Sequence, residues 1–188
     1  MTVGLGGSAK SAVLVVIRGE APCREILLTK RALSMRHHGG EIAFPGGMRE
    51  PEDASLYDTA TREAWEEVAL PSDAVEPLGS LPVSFTRAQT SVKPYVVCLR
   101  GEPELSDHSP EIEHYFWLSE QVLREDRRER TDIFTFKGRE YWSPAYRCGG
   151  DIIWGLTARI LVQVAENHLG IELKKEHPAP LNYFKAQA

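Results

Sequence analysis

Three acidic side chains, Glu63, Glu66 and Glu67, follow Arg62 in a single short segment. On a helix, offsets of three and four residues place these carboxylates on one face. Like charges at that spacing repel and weaken a helix by roughly a few tenths of a kcal/mol per pair. A hard divalent cation such as Mg²⁺ takes oxygen ligands and would reverse this penalty. The run therefore indicates a Mg²⁺ (or Mn²⁺) site, with Glu63 and Glu67 as principal ligands and Glu66 as a further ligand or a bridge to water.

Such a metal site suits the cleavage of a phosphoanhydride, which needs stabilised phosphoryl charge and an aligned water. Arg62 stands beside the acids, and its planar fork suits it to orient Asp53 or Glu66 through paired hydrogen bonds. An Arg-Glu-x-x-Glu-Glu run on its own is more often a solvated helix face. The glycine pair Gly46-Gly47 shortly before it allows bare backbone to approach a cation and favours the catalytic interpretation.

A helix must carry these acids. The pattern predicts that it begins near Pro51, with Asp53 as N-cap, and ends at about Leu70 before Pro71. Strands are predicted over 11–18, 25–31, 40–45, 76–83, 91–100, 111–118, 132–136 and 139–142, with a short helix near 120–124 and a long helix over 151–170. Strands flanked by a middle and a terminal helix predict an α/β (α+β) domain layered as an α/β/α sandwich.

The composition limits the function classes. A chain of 188 residues suits one domain, predicted over 11–175 between a flexible N-terminal tail (1–10) and a C-terminal tail (176–188). A net charge of −5 and a pI near 5.7 argue against a nucleic-acid partner. The apolar runs are shorter than the ~20 residues that span a membrane. The odd set Cys23, Cys98 and Cys148 predicts free thiols and a cytoplasmic location, and homodimer formation stays open.

The motif residues resemble the signature of Nudix hydrolases, a glycine and an acid followed by Arg-Glu-x-x-Glu-Glu on a loop–helix–loop. Here Gly47, Asp53 and the segment 62–67 hold those places. The stretch LLTKRALSMRHHGGEIAFPGG (27–47) and the segment 151–159 resemble the coenzyme A pyrophosphatase branch of that family. Ala69 stands where a glycine is usual, and Ala32 and Gly39 also depart from the branch pattern.

The resemblance implies a mixed central sheet, a C-terminal helix and a metal-dependent pyrophosphatase. It implies that the backbone carbonyl of Gly46 is a further metal ligand and that Arg31, Arg36 and Gly40 bind substrate. It also implies a general base outside the helix. Glu111 is the first candidate for that catalytic role beside Glu66 and Arg62. Two other acids, Glu113 and Glu41, are further candidates for the base.

Three functions remain open at this point. The first is hydrolysis of coenzyme A or acyl-CoA to 3′,5′-ADP and (acyl)phosphopantetheine. The second is the same chemistry on another nucleoside diphosphate derivative, such as ADP-ribose, a dinucleotide or a dNTP. The third is a non-catalytic Nudix domain that senses a ligand or binds a partner; the presence of all the acids in 62–67 argues against it.

Overall fold

The structure, a computed structural model, describes residues 9–35, 38–86, 89–107, 109–136 and 139–184. The strands in chain order are β1 Ser11–Arg18, β2 Glu25–Arg31, β3 Ile42–Ala43, β4 Gly46–Met48, β5 Val75–Ser80, β6 Ser84–Phe85, β7 Ser91–Leu99, β8 Ile112–Ser119, β9 Arg130–Phe136, β10 Arg139–Cys148, β11 Asp151–Ile153 and β12 Leu181–Phe184. The helices are α1 Leu56–Val68, α2 Gln121–Arg124 and α3 Gly155–Val164, and a π-helical turn, Ala165–Leu169, continues α3. Of the N-terminal tail predicted over 1–10, residues 1–8 lie outside the described part.

The larger sheet has the strand order β3-β2-β1-β7-β5, with β4 paired to β1, β6 to β7 and β8 to β2. Strand β1 pairs antiparallel with β2 and parallel with β7. The sheet is therefore mixed, as predicted.

Strand β1 is apolar from Ala12 to Ile17, and both faces of this part of the strand are covered. Ala12, Leu14 and Val16 belong to a core cluster that includes the inner face of α1. Val15 and Ile17 point the other way, into a core that includes the buried side chains of α3. The sheet thus lies between α1 and α3, which confirms the α+β class and the predicted layering.

A second sheet, in the order β11-β10-β9-β12, was not predicted from the sequence. Strand β10 continues to Cys148, whereas the sequence pattern predicted a strand only over 139–142. Ser143, Ala145 and Tyr146 are all buried. A strand that is buried on both faces shows no alternation of polar and apolar residues, so the sequence does not predict this extension. Strand β12 forms inside the segment predicted as a C-terminal tail and pairs parallel with β9.

Two predicted helix boundaries are wrong. The long helix predicted over 151–170 begins only at Gly155, because Asp151–Ile153 pair with β10 as a strand. Helix α1 begins at Leu56 rather than near Pro51, and Ser55 rather than Asp53 is its N-cap. The predicted strands 40–45 and 76–83 are likewise shorter or divided.

Within the described residues, the helices are too short or too polar to cross a bilayer. All three cysteines are free thiols, as predicted, and Cys23 is exposed.

Candidate active site

The glycine pair lets β4 pass close to both β1 and α1. A Cβ at Gly47 would lie 2.2 Å from Oε1 of Glu63, and one at Gly46 would lie 2.4 Å from the carbonyl oxygen of Ala12. Any side chain at either position would have to displace backbone or the Glu63 carboxylate. The glycines therefore let the loop backbone rest directly against the acidic face of α1.

Arg62 connects the acids of the site through a network of hydrogen bonds. Its Nε donates to Oδ1 of Asp53 at 3.0 Å, and Nη2 donates to Oδ2 of the same carboxylate at 3.2 Å. Nη2 also reaches Oε1 of Glu63 at 3.1 Å, and Nη1 reaches Oε2 of Glu66 at 3.1 Å. A fifth bond, to the carbonyl of Met48 at 3.2 Å, ties the helix to the glycine loop. The predicted orienting role of Arg62 thus has a geometric basis with both proposed partners.

Asp53 is buried below the helix instead of capping it. Its Oδ2 accepts hydrogen bonds from the Thr59 hydroxyl and the Glu50 backbone N–H, each at 2.9 Å. The neighbouring Arg62 guanidinium and these donors hold the pKa of the Asp53 carboxyl well below its usual range. Asp53 therefore stays ionised and fixes the Arg62 side chain.

Glu67 is the most buried of the three acids, with 4 % of its side chain exposed. Its Oε2 is buried and accepts no hydrogen bond. Burial raises the pKa of Glu67 to about 8, and Glu63 and Glu111 add to the rise, while Arg31 and the Gly46 backbone N–H oppose it. A buried carboxylate with an unpaired oxygen is costly unless a cation meets it.

The other two acids differ in exposure. Burial raises the pKa of Glu63, against the opposing effect of Arg62. Glu66 is 53 % exposed and faces solvent beyond the Arg62 side chain. Glu63 and Glu67 thus form the inner pair of the site, and Glu66 lies at its rim.

The three candidate bases lie in different surroundings. Glu111 is close enough to raise the pKa of both Glu63 and Glu67, and its Oε2 lies 3.6 Å from Nη2 of Arg31. Glu113 instead pairs with Lys30, and Glu41 pairs with His38 on an exposed turn. Among the described contacts of these three acids, Glu111 is therefore the one that interacts electrostatically with the acids of α1.

The loop 31–40, which the sequence predicts to bind substrate, is described except for residues 36–37. Arg31 ends β2, and its Nη1 lies 3.7 Å from Oε1 of Glu67. The backbone N–H of Gly40 donates to the carbonyl of Arg31 at 2.9 Å, so the two ends of the loop are hydrogen-bonded to each other. Gly40 has φ +79, and a Cβ there would lie 2.9 Å from Leu33, so glycine suits this turn. Arg36 lies outside the described residues.

A family model described as the NUDIX domain matches residues 8–136. The chain belongs to the Nudix family. A protein of Enterobacter sp. named as an uncharacterized Nudix hydrolase, NudL, is 39 % identical over 163 residues, which cover 83 % of this chain and 81 % of that one. A protein of Yersinia enterocolitica with the same name is 35 % identical over 173 residues, covering 85 % and 81 %.

Solved structures show the same fold. A NUDIX hydrolase from Nitrosomonas europaea matches with a TM-score of 0.55 and 16 % identity, covering 95 % of this chain and 81 % of that one. A C. elegans Ap4A hydrolase matches with a TM-score of 0.51 and 24 % identity, covering 60 % and 81 %. Membership of the Nudix hydrolases makes this chain a pyrophosphohydrolase, as predicted.

Nudix hydrolases generally use divalent metal ions, and the donor set of α1 fits one. Among the described residues no three acidic, histidine or cysteine side chains already converge as a ready ligand cluster. The acids are paired with Arg62 and Arg31 instead. The orphaned Oε2 of Glu67 and the adjacent Glu63 carboxylate nevertheless offer the hard oxygen atoms that Mg²⁺ or Mn²⁺ prefers.

Sequence reasoning missed two residues that support the site. Thr59 is fully buried and donates to Asp53, and Arg49 donates to the Asp53 and Ala54 carbonyls at 2.9 and 3.1 Å. A polar residue at Thr59, one position before the apolar Ala60, departs from the amphipathic pattern of α1. That departure was the available signal for a buried polar contact.

Proposed function

We propose that this Nudix hydrolase cleaves the diphosphate of coenzyme A or acyl-CoA, giving 3′,5′-ADP and (acyl)phosphopantetheine. The observation that carries the proposal is the position of Arg31. This residue belongs to the segment 27–47 that resembles the coenzyme A branch, and its guanidinium lies 3.7 Å from Glu67 and 3.6 Å from Glu111. A phosphate group held by Arg31 would therefore lie against the acids of α1.

Arg31 is held in a way that suits anion binding. Its backbone N–H donates to the Glu41 carbonyl at 3.0 Å, and its carbonyl accepts from Gly40, so two backbone hydrogen bonds fix the position of Arg31 at the base of the loop. Its guanidinium faces two carboxylates at ion-pair distance and forms no closer hydrogen bond with them. A planar guanidinium can bind a phosphate through two parallel hydrogen bonds, which are shorter and stronger than these contacts.

The inner acids divide the remaining work. Glu63, Glu67 and the backbone carbonyl of Gly46 would hold Mg²⁺ or Mn²⁺, with Glu66 as a further ligand at the rim. When bound, the cation neutralises charge on the diphosphate oxygens and acidifies water. Arg62, anchored on Asp53, holds Glu63 and Glu66 in place before substrate binds.

Glu111 is proposed as the general base. It accepts a proton from the attacking water, the water oxygen bonds to one phosphorus, and the bridging P–O bond to the other phosphate breaks. Its carboxylate is 54 % exposed and borders both Arg31 and the inner acids. That position leaves room for a water between the base and a diphosphate held by Arg31.

A substrate panel with Mg²⁺ and with Mn²⁺ tests the proposal. Coenzyme A, an acyl-CoA, ADP-ribose, a dinucleotide and a dNTP are compared by kcat/KM, with both products identified by mass. We expect coenzyme A or its acyl derivative to exceed each of the others by at least about tenfold. Equal turnover of ADP-ribose and coenzyme A would contradict the substrate assignment. The absence of hydrolysis across the panel would favour a non-catalytic ligand-binding domain.

A further inference from the structure

Two threonines of α1 use their hydroxyl groups in different ways. The Thr61 hydroxyl donates to two carbonyls of the preceding turn, both at 3.1 Å, which is the usual bond of a threonine inside a helix. The Thr59 hydroxyl lies 3.3 Å from the corresponding carbonyl, that of Ser55, but donates over a shorter distance, 2.9 Å, to Oδ2 of Asp53. Thr59 thus directs its hydroxyl out of the helix, toward a buried carboxylate.

Thr59 begins the buried line of α1 that carries the two inner acids. Thr59, Glu63 and Glu67 follow one another at intervals of four residues, so their side chains lie on one face of the helix. Thr59 is fully buried, and the Glu63 and Glu67 side chains are 16 % and 4 % exposed. A buried hydroxyl needs a polar partner, because unpaired polar groups are costly in the interior. Asp53 is that partner, and through Arg62 it is also connected to Glu63.

The orientation of the Asp53 carboxylate is set by donors on both of its oxygens. Nε of Arg62 donates to Oδ1, and Oδ2 accepts from the Thr59 hydroxyl, the Glu50 backbone N–H and Nη2 of Arg62. Because only 4 % of the Asp53 side chain is exposed, water cannot readily replace a donor that is lost. Of these donors, the Thr59 hydroxyl is the one that a substitution removes without changing a charge or the backbone.

The position of the Asp53 carboxylate determines how Arg62 divides its hydrogen bonds. Nη2 of Arg62 carries two hydrogens but lies 3.1 or 3.2 Å from three acceptors. These acceptors are the Asp53 and Glu63 carboxylates and the Met48 carbonyl. A rotation of Asp53 would change this division and loosen Glu63. A metal ligand must stay within about 0.5 Å of its productive position, and the groups behind the ligands supply that precision.

We propose that Thr59 is a positioning residue of the metal site, and that its hydroxyl keeps Asp53 in the orientation at which Arg62 holds Glu63. This inference rests on the metal ligands of the proposed function and is independent of which diphosphate is the substrate. Substitution of a group behind the ligands costs about 10–100-fold in metal affinity or activity. Because Thr59 acts on Glu63 through two intervening side chains, its effect belongs at the lower end of this range.

The test measures Mn²⁺ affinity by calorimetry on the full chain without substrate. We expect Thr59→Val, which keeps the shape of the side chain and removes the hydroxyl, to weaken Mn²⁺ binding about tenfold. Thr59→Ser keeps the hydroxyl and should bind Mn²⁺ within about twofold of the wild type. Thr61→Val is the matched control, because it removes a hydroxyl of the same helix that bonds only to the preceding turn, and it should leave the affinity unchanged.

Two further measurements separate positioning from stability. Val164→Ala, in the core on the α3 side of the sheet, should lower the thermal midpoint and leave Mn²⁺ affinity unchanged. On the substrate that the wild type turns over fastest, Thr59→Val should lower kcat and leave KM unchanged, because Arg31 is not affected. If Thr59→Val does not fold, Thr59→Ala removes the same hydroxyl with a better helix former, and Thr61→Ala becomes its control.

The outcomes distinguish this inference from the proposed function. Wild-type Mn²⁺ affinity in Thr59→Val, or an equal loss of affinity in Thr59→Ser, would overturn the positioning role and leave the proposed function standing. An equal loss in Val164→Ala would show that the effect of Thr59 comes from overall stability, and would also overturn it. If the wild type itself does not bind Mn²⁺, the metal assignment of the proposed function fails. Weaker binding in Thr59→Val that serine restores supports the positioning role.

Discussion

At the residue scale, the site is built around the buried Glu67 carboxylate. Its Oε2 accepts no hydrogen bond from the described residues, and the Arg31 guanidinium lies 3.7 Å from its Oε1. Such an arrangement costs stability in the metal-free protein. It also prepares an oxygen ligand for a divalent cation, because little hydration has to be removed when the cation binds.

The raised pKa of Glu67 predicts how metal binding depends on pH. The metal-free fold holds a proton on Glu67 up to about pH 8, whereas in the unfolded chain the carboxyl has its ordinary pKa of 4.5. The free energy of unfolding should therefore fall as the pH rises from about 5 to 8. Since the cation must displace that proton, Mn²⁺ affinity measured by calorimetry should rise about tenfold per pH unit over the upper part of this range.

Glu67→Gln is the control for this titration, because the amide cannot release a proton. Its stability should lose the corresponding slope, and its residual Mn²⁺ affinity should vary less with pH. Wild-type Mn²⁺ affinity that stays constant from pH 6 to 8 would show that Glu67 is already ionised in the metal-free fold. Because the cation must displace this proton, we also expect activity to rise toward alkaline pH.

At the element scale, α1 ends on a residue that is strained. Ala69 adopts the left-handed conformation at φ 55, and its N–H bonds to the Ala64 and Trp65 carbonyls while the Leu70 N–H also reaches Ala64. This is the geometry at which helices usually carry glycine. The departure from the family pattern at Ala69 thus has a conformational cost, and Pro71 does not remove it.

Ala69→Gly should therefore stabilise the protein by about 0.5–1 kcal/mol, after the entropy of the added glycine is subtracted. Urea unfolding measures the change. Ala64→Gly is the matched control, since the same substitution inside α1 should destabilise by about 1 kcal/mol or more. A loss of stability in Ala69→Gly would show that the left-handed turn is not strained.

Much of the first sheet, α1 and the acids of the site followed from the sequence. The regular spacing of apolar residues predicted α1, and the glycines and acids around it predicted a metal-dependent hydrolase. The N-cap was misassigned because Asp53 and Ser55 are both good caps, and only the tertiary contact with Arg62 and Thr59 draws Asp53 inward. The contact between Arg159 and the Tyr141 ring gave no local signal, because α3 and β10 meet only in the folded chain.

At the scale of the whole molecule, two sheets share one core. Leu28 of β2, Tyr146 of β10 and Leu161 of α3 lie in the same buried cluster. The second sheet could not be predicted, because β12 is four residues long and its partner β9 precedes it by about 50 residues. Such pairing depends on long-range contacts rather than on local pattern.

Deletion of residues 181–188 tests whether the C-terminal segment belongs to the domain. The change removes β12, including the Phe184 ring stack and the 2.9 Å bond from Asn182 to Asp132. Losing this half-buried aromatic side chain together with the rest of β12 should cost about 2 kcal/mol, so calorimetry should show a midpoint lower by about 4–8 °C. Tyr183→Ser is the control, because that side chain is 66 % exposed and its removal should be nearly neutral. An unchanged midpoint after the deletion would make the segment a tail.

The central claim is that the acids of α1 hydrolyse the diphosphate of coenzyme A. It is tested most directly by mass analysis of the products formed from coenzyme A and Mg²⁺ by the wild type and Glu67→Gln, with thermal midpoints as the folding control. We predict equal amounts of 3′,5′-ADP and phosphopantetheine from the wild type, and a kcat lower by about two orders of magnitude or more in a folded Glu67→Gln. Near-wild-type turnover in the variant, or no 3′,5′-ADP from the wild type, would contradict the claim.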